Sequence, residues 1–179
     1  MNKNFRHIGW VLIPLALAGC HKGQTIDSML PMEPAIVSGF PGAVPSKVRS
    51  AAIWGNDERT VNSAITWLGQ HGMAVYGPCR VEGAIAKGAG KDDLSLINEG
   101  VVLGAARKAG VDYVVFADRL GDSRPPAVSI RAVDAQDGRI LWAGQARFGT
   151  AGQLPSNASL SYLTDQALGA AWGVKPVEE

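Results

Sequence analysis

Residues 111–148 read VDYVVFADRLGDSRPPAVSIRAVDAQDGRILWAGQARF, and the fold class turns on them. Val111 to Ala117 is β-branched and aromatic, with no polar alternation after Asp112, which is how a strand buried in the middle of a sheet reads. Residues 121–126 carry Pro125 and Pro126 and predict a turn. Ala127 to Asp134 then alternates, Val128, Ile130 and Ala132 facing one way and Ser129 and Arg131 the other. Asp137-Gly138 is a hairpin signal. Arg139 to Phe148 returns as the partner strand and is expected to put Ile140, Trp142 and Phe148 on one face. A buried strand feeding an antiparallel meander is half of a mixed sheet.

The other half lies upstream. Val48 to Trp54 predicts a first strand. Asn56 or Asp57 can cap a helix running to about His71, with Glu58 suited to its positive end. The inward stripe is Val61, Ala64, Ile65 and Leu68, and Gly72 is a natural stop. Met73 to Tyr76 gives a short second strand and Arg80 to Lys87 a helical segment. Asp92 or Asp93 opens the next helix, with Leu94, Ile97, Val101, Ala105 and Ala109 on one side. Downstream, Asn157 to Trp172 forms a helix with Leu160, Leu163, Ala167 and Ala171 inward. The order β-α-β-α-α-β-β-β-α predicts an α/β fold: one domain, residues 47–173, with a mixed sheet and helices packed on it. Its first three strands are parallel, joined by right-handed crossovers.

Residues 1–46 read differently. Lys3 and Arg6 precede Ile8 to Leu17, apolar apart from Gly9 and Pro14. Ten helical residues rise about 15 Å, half the ~30 Å of a bilayer core, so the segment reads as a signal-peptide core rather than a span. Leu17-Ala18-Gly19-Cys20 follows and resembles the lipobox of bacterial lipoproteins. The expectation is cleavage between Gly19 and Cys20, removal of 1–19, and membrane lipid attached through Cys20. His21 stands where an Asp would signal inner-membrane retention, so the resemblance implies the outer membrane, facing the periplasm. Residues 20–46, with Pro31, Pro34, Pro41 and Pro45, read as a tether. Residues 174–179 read as a disordered tail.

The chain has 17 Lys+Arg and 16 Asp+Glu, and loss of Lys3 and Arg6 leaves 15 basic against 16 acidic side chains. That balance, without a basic stripe, argues against a nucleic-acid partner. With Cys20 acylated, Cys79 has no intramolecular disulfide partner and is expected to be buried and inert. Three histidines, one of them in the signal, offer no metal-ligand spacing, and no cofactor is implied. Gly88-Ala89-Gly90-Lys91 is not a phosphate loop, because Ile85 and Asp92 stand where Gly and Ser or Thr are needed. His71 and Cys79 flank a short strand, too far apart for a catalytic pair. Asp112, Asp118, Asp122 and Asp134 fall near strand ends, suited to turns and caps.

The segments Gly110-Val111-Asp112-Tyr113-Val114-Val115, Ile130-Arg131-Ala132-Val133-Asp134 and Asp137-Gly138-Arg139-Ile140-Leu141-Trp142 are similar to a run shared by envelope lipoproteins. These are the CsgG, FlgO and LpoB families, related to the N-terminal domain of TolB. The resemblance implies a non-enzymatic, lipid-anchored α/β domain that docks on a larger envelope protein during envelope or appendage assembly. The loops are too short for the membrane-crossing hairpins of a secretion channel. The alternatives are a small periplasmic thiol-dependent or hydrolytic enzyme using Cys79, and a lipoprotein binding a small ligand in a sheet-end crevice. For a partner surface the candidate is Trp67, off the inward stripe of its helix beside Ser63 and His71. An aromatic there suits an interface anchor, or else covers the rim of the core.

Overall fold

A computed structural model describes residues 34–40, 50–88, 97–121, 125–149 and 156–173. Their elements are β1 (Ile36–Phe40), β2 (Ser50–Trp54), α1 (Glu58–Gln70), β3 (Ala74–Tyr76), α2 (Pro78–Gly88) and α3 (Glu99–Lys108). The rest are β4 (Tyr113–Arg119), β5 (Ala127–Asp134), β6 (Ile140–Arg147) and α4 (Asn157–Trp172). The strands form one sheet in the order β1-β6-β5-β4-β2-β3. The predicted α/β class holds: β2 pairs in parallel with β3 and β4, and β4, β5 and β6 form the antiparallel meander.

The period of two along each strand divides the core between the two faces of the sheet. Ala51, Ile53, Tyr113, Val115, Ala117, Val128, Ile130, Ala132 and Trp142 meet α1 and α4 on one face. Ala52, Val114, Phe116 and Val133 meet α2 and α3 on the other. β4 is buried from Tyr113 to Ala117, as its unbroken apolar run requires. Caps set the helix starts. The Asp57 carboxylate accepts from the Thr60 N–H and hydroxyl, both at 3.0 Å, which also satisfies a fully buried threonine. Ser156 and Ser159 form a reciprocal capping box at the start of α4.

Four local expectations are corrected. Ile36–Phe40, inside the stretch read as tether, is an edge strand paired antiparallel with β6. All five of its residues are exposed, so burial imposes no alternation on its sequence, and the pairing rests on backbone hydrogen bonds and on the approach of α4 at Gly39. α3 begins only at Glu99, because Asn98 is extended and its side-chain oxygen accepts from the Val101 N–H at 3.1 Å. That start makes Val102, Ala105 and Ala106 the buried side and leaves Val101 38% exposed. Residues 89–96, including Leu94 and the expected start at Asp92 or Asp93, lie outside the described residues. Ile140 is 49% exposed and not on the face of Trp142 and Phe148. An irregularity in the β5–β6 register pairs it with Val133, which belongs to the opposite face. Cys79 is exposed in the first turn of α2, not buried.

Candidate functional site

α1 and α4 leave the same end of the sheet, because each follows a strand of the same direction: β2 parallels β4, and two antiparallel steps bring β6 back to that sense. The two helices therefore run side by side in parallel, and their C-terminal ends meet. Val61, Ala64 and Leu68 point α1 into the sheet. Leu160, Leu163, Ala167 and Ala171 do the same for α4.

Between the outer shoulders of the two helices lies a groove of about 300 Å³, lined by Asn62, Ser63, Thr66, Trp67, Gln70, Ser161 and Asp165. Trp67 is its floor and is only 8% exposed. Its ring stacks on His71 at 3.6 Å between centroids and meets Trp172 edge-on at 5.3 Å. Trp172 in turn meets the fully buried Trp142 at 6.2 Å. A ring nitrogen of His71, Nδ1, lies 2.7 Å from the Trp67 carbonyl oxygen, so the imidazole ends α1 and holds the stack together. Asp165 is exposed on the α4 wall, and among the described residues its carboxylate has no hydrogen bond or ion pair. The surrounding helices still desolvate that carboxyl enough to raise its pKa above 3.8, with the His71 charge acting the other way.

The structure thus brings Ser63, Trp67 and His71 together, with Trp67 covering the rim of the core. Sequence reasoning missed Asp165 and Trp172, because α4 begins ninety residues after Trp67 and nothing in either helix announces their contact, and it missed Gln70 of α1 because that residue becomes a groove wall only beside α4. Gly19 and Cys20 lie outside the described residues.

A second, smaller crevice of about 190 Å³ lies at the carboxyl ends of β2 and β4, lined by Asn56, Asp57, Arg119 and Gly121. It is clamped: the Asn56 amide donates to the Arg119 carbonyl at 3.0 Å and accepts from the Arg119 N–H at 2.8 Å. Beside it, burial raises the Asp118 pKa, opposed by the Asn56 N–H that its carboxylate accepts at 3.2 Å. The other aspartates act locally. Asp112 accepts from the Ser50 N–H at 2.7 Å, and Asp134 from the Gln136 N–H at 2.7 Å. Asp122 lies outside the described residues. Among the described residues no cluster of His, Cys, Asp and Glu could hold a metal ion, and no helix is long and apolar enough to cross a membrane.

No family model matches the chain. Over 44 residues, a quarter of this chain, it is 36% identical to the penicillin-binding protein activator LpoB of Yersinia pestis. Over 50 residues it is 38% identical to LpoB of Dickeya dadantii. The matched segments span 23% and 26% of those relatives, about a quarter of their length. A chain of the PelC L103M dodecamer from Paraburkholderia phytofirmans superposes with a TM-score of 0.52 at 13% identity, covering 79% of this chain and all of that one. The domain shares the PelC fold and carries an LpoB-like sequence segment.

Proposed function

We propose that this chain is a lipid-anchored, periplasm-facing adaptor of the Gram-negative outer membrane. It binds a protein partner in envelope assembly and does no chemistry of its own. The observation that carries this reading is the LpoB-like segment, since those relatives are activators of penicillin-binding proteins. The fold supports it: a sheet with helices on both faces, and an open polar groove on the outer shoulders of two of them, offers a contact surface more readily than a catalytic pocket. Acyl chains on Cys20 would supply the anchor and residues 21–33 the reach, so that the domain meets its partner away from the membrane. The groove walls, with Ser63, Thr66, Gln70 and His71 exposed or half-exposed around Trp67, are the proposed contact surface.

The test is reconstitution. The lipidated full chain in detergent is mixed with each purified penicillin-binding protein of the same bacterium, and binding and enzymatic turnover are measured. One enzyme should bind and be stimulated severalfold. Ser63→Arg should weaken that binding without changing the melting temperature of the domain. Absence of binding to every one of these enzymes would reject the partner class. Hydrolytic or thiol-dependent activity that is lost in Cys79→Ala would favour the enzyme instead.

A further inference from the structure

Within the α1–α4 groove, four observations share one sign of charge. Asp165 is the only charged side chain on the sixteen residues of α4, and among the described residues it has neither an ion pair nor a hydrogen bond. The groove lining holds no Lys or Arg. Neither α1 nor α4 has a basic residue in its last turn. Because the two helices run in parallel, the negative ends of both dipoles fall together at the Gln70 end of the groove, two turns beyond Asp165. Around Asp165 the walls offer neutral oxygens from Asn62, Ser63, Thr66, Gln70 and Ser161, over a floor closed by Trp67.

We infer that this groove receives an arginine side chain from the protein partner. The inference rests on the adaptor reading and names the chemistry of its contact. A guanidinium presents five N–H donors in a plane, enough to reach the Asp165 carboxylate and acceptors on both walls. An ammonium is a compact point charge with three donors and satisfies fewer of these groups at once. Among the described residues His71, at the end of α1, is the titratable group whose charge acts on Asp165, and it stays engaged with the Trp67 carbonyl. Desolvation of Asp165 fits the same assignment, because a cation docked there relieves the cost of its charge.

The experiment needs no partner, so its outcome is separate from the reconstitution. The full chain is labelled with ¹⁵N and titrated at pH 8 with three blocked tripeptides, Gly-Arg-Gly, Gly-Lys-Gly and Gly-citrulline-Gly, while the Trp67 indole resonance is followed. The arginine peptide should shift it saturably, severalfold tighter than the lysine peptide, and citrulline, nearly isosteric but neutral, should bind at least about tenfold more weakly. Asp165→Asn, which leaves the rest of the spectrum in place, should lose the preference for arginine over citrulline. Equal binding of arginine and citrulline, equal binding of arginine and lysine, an unaltered preference in Asp165→Asn, or no shift at millimolar peptide each overturns the assignment. If the enzyme reconstitution succeeds in any of those cases, the adaptor stands and its contact lies elsewhere.

Discussion

Gly39 of β1 and Gly144 of β6 face each other in the antiparallel register, and α4 lies directly on the pair. A Cβ on Gly39 would stand 2.6 Å from the Ala170 carbonyl oxygen, and one on Gly144 would collide with the Ala167 carbonyl. Two cross-strand positions without side chains let the helix backbone approach the sheet backbone. The small residues Ala167, Gly169, Ala170 and Ala171 complete the fit from the helix side.

Gly144→Ala should therefore destabilise the domain by about 1–3 kcal/mol, the usual cost of overpacking. Gly39→Ala, on an exposed edge strand that can yield, should cost less. Gly104→Ala in α3 is the control: nothing lies within 4 Å of its Cβ, so the substitution should stabilise by about 0.5–1 kcal/mol. Urea unfolding of the three variants checks the order, and an unaltered midpoint for Gly144→Ala would refute the close approach.

Trp67→Ala removes the ring that stacks on His71 and meets Trp172 edge-on. The loss should be about 3–5 kcal/mol, as for other large aromatics cut from a core. A thermal melt reads it directly. A change within a few tenths of a kcal/mol would mean that the ring is free at the surface, which its 8% exposure denies.

The Asp165 carboxyl has its pKa raised in the folded protein, by desolvation first and against the opposing effect of His71. The folded state then holds a proton more tightly than the unfolded chain. Its contribution is most favourable below the ordinary carboxylate value of 3.8 and is lost as pH rises through the raised folded value, leaving a penalty at neutral pH. Asp165→Asn should raise the melting temperature at pH 7, and the advantage should shrink as pH falls through the raised folded value and be gone below 3.8. A lower melting temperature for the variant at pH 7 would reverse the assignment.

Cys20→Ser should abolish incorporation of radiolabelled palmitate and leave the precursor uncut. Labelling and normal processing of the serine variant would remove the anchor from the proposal.

Cys79 is exposed. It should react with a maleimide in the folded protein without denaturant, and Cys79→Ala should change stability by no more than about 0.5 kcal/mol. Protection of the thiol until the domain unfolds would contradict the exposed position in α2.

Much of this architecture was readable from local pattern. β5 runs from Ala127 to Asp134 and α4 from Asn157 to Trp172, both as the periodicity and turn residues require. Asp137-Gly138 does turn the hairpin, Gly138 taking a φ of 74°. These succeed because the determining physics is short-range: alternation against a buried face, a cap side chain within one turn, a glycine free to take positive φ. Where two local signals competed, the nearer hydrogen bond decided, as when Asn98 capped α3 and ended the longer helix that Ile97 and Val101 suggested.

What only the tertiary structure decided depends on contacts between distant segments. β1 carries no burial pattern, so nothing in Ile36–Phe40 reveals that its backbone completes the sheet edge beside β6. The helical angle of Trp67 placed it off the stripe facing the sheet, and that holds for α1 alone. α4 arrives ninety residues later and covers the ring with Trp172. The same arrival sets an uncompensated Asp165 beside Ser63, Thr66 and Gln70 and makes two flanks into one groove. Sequence periodicity describes each element against a single face, and a surface built from two helices exists only once the sheet has fixed both their direction and their spacing.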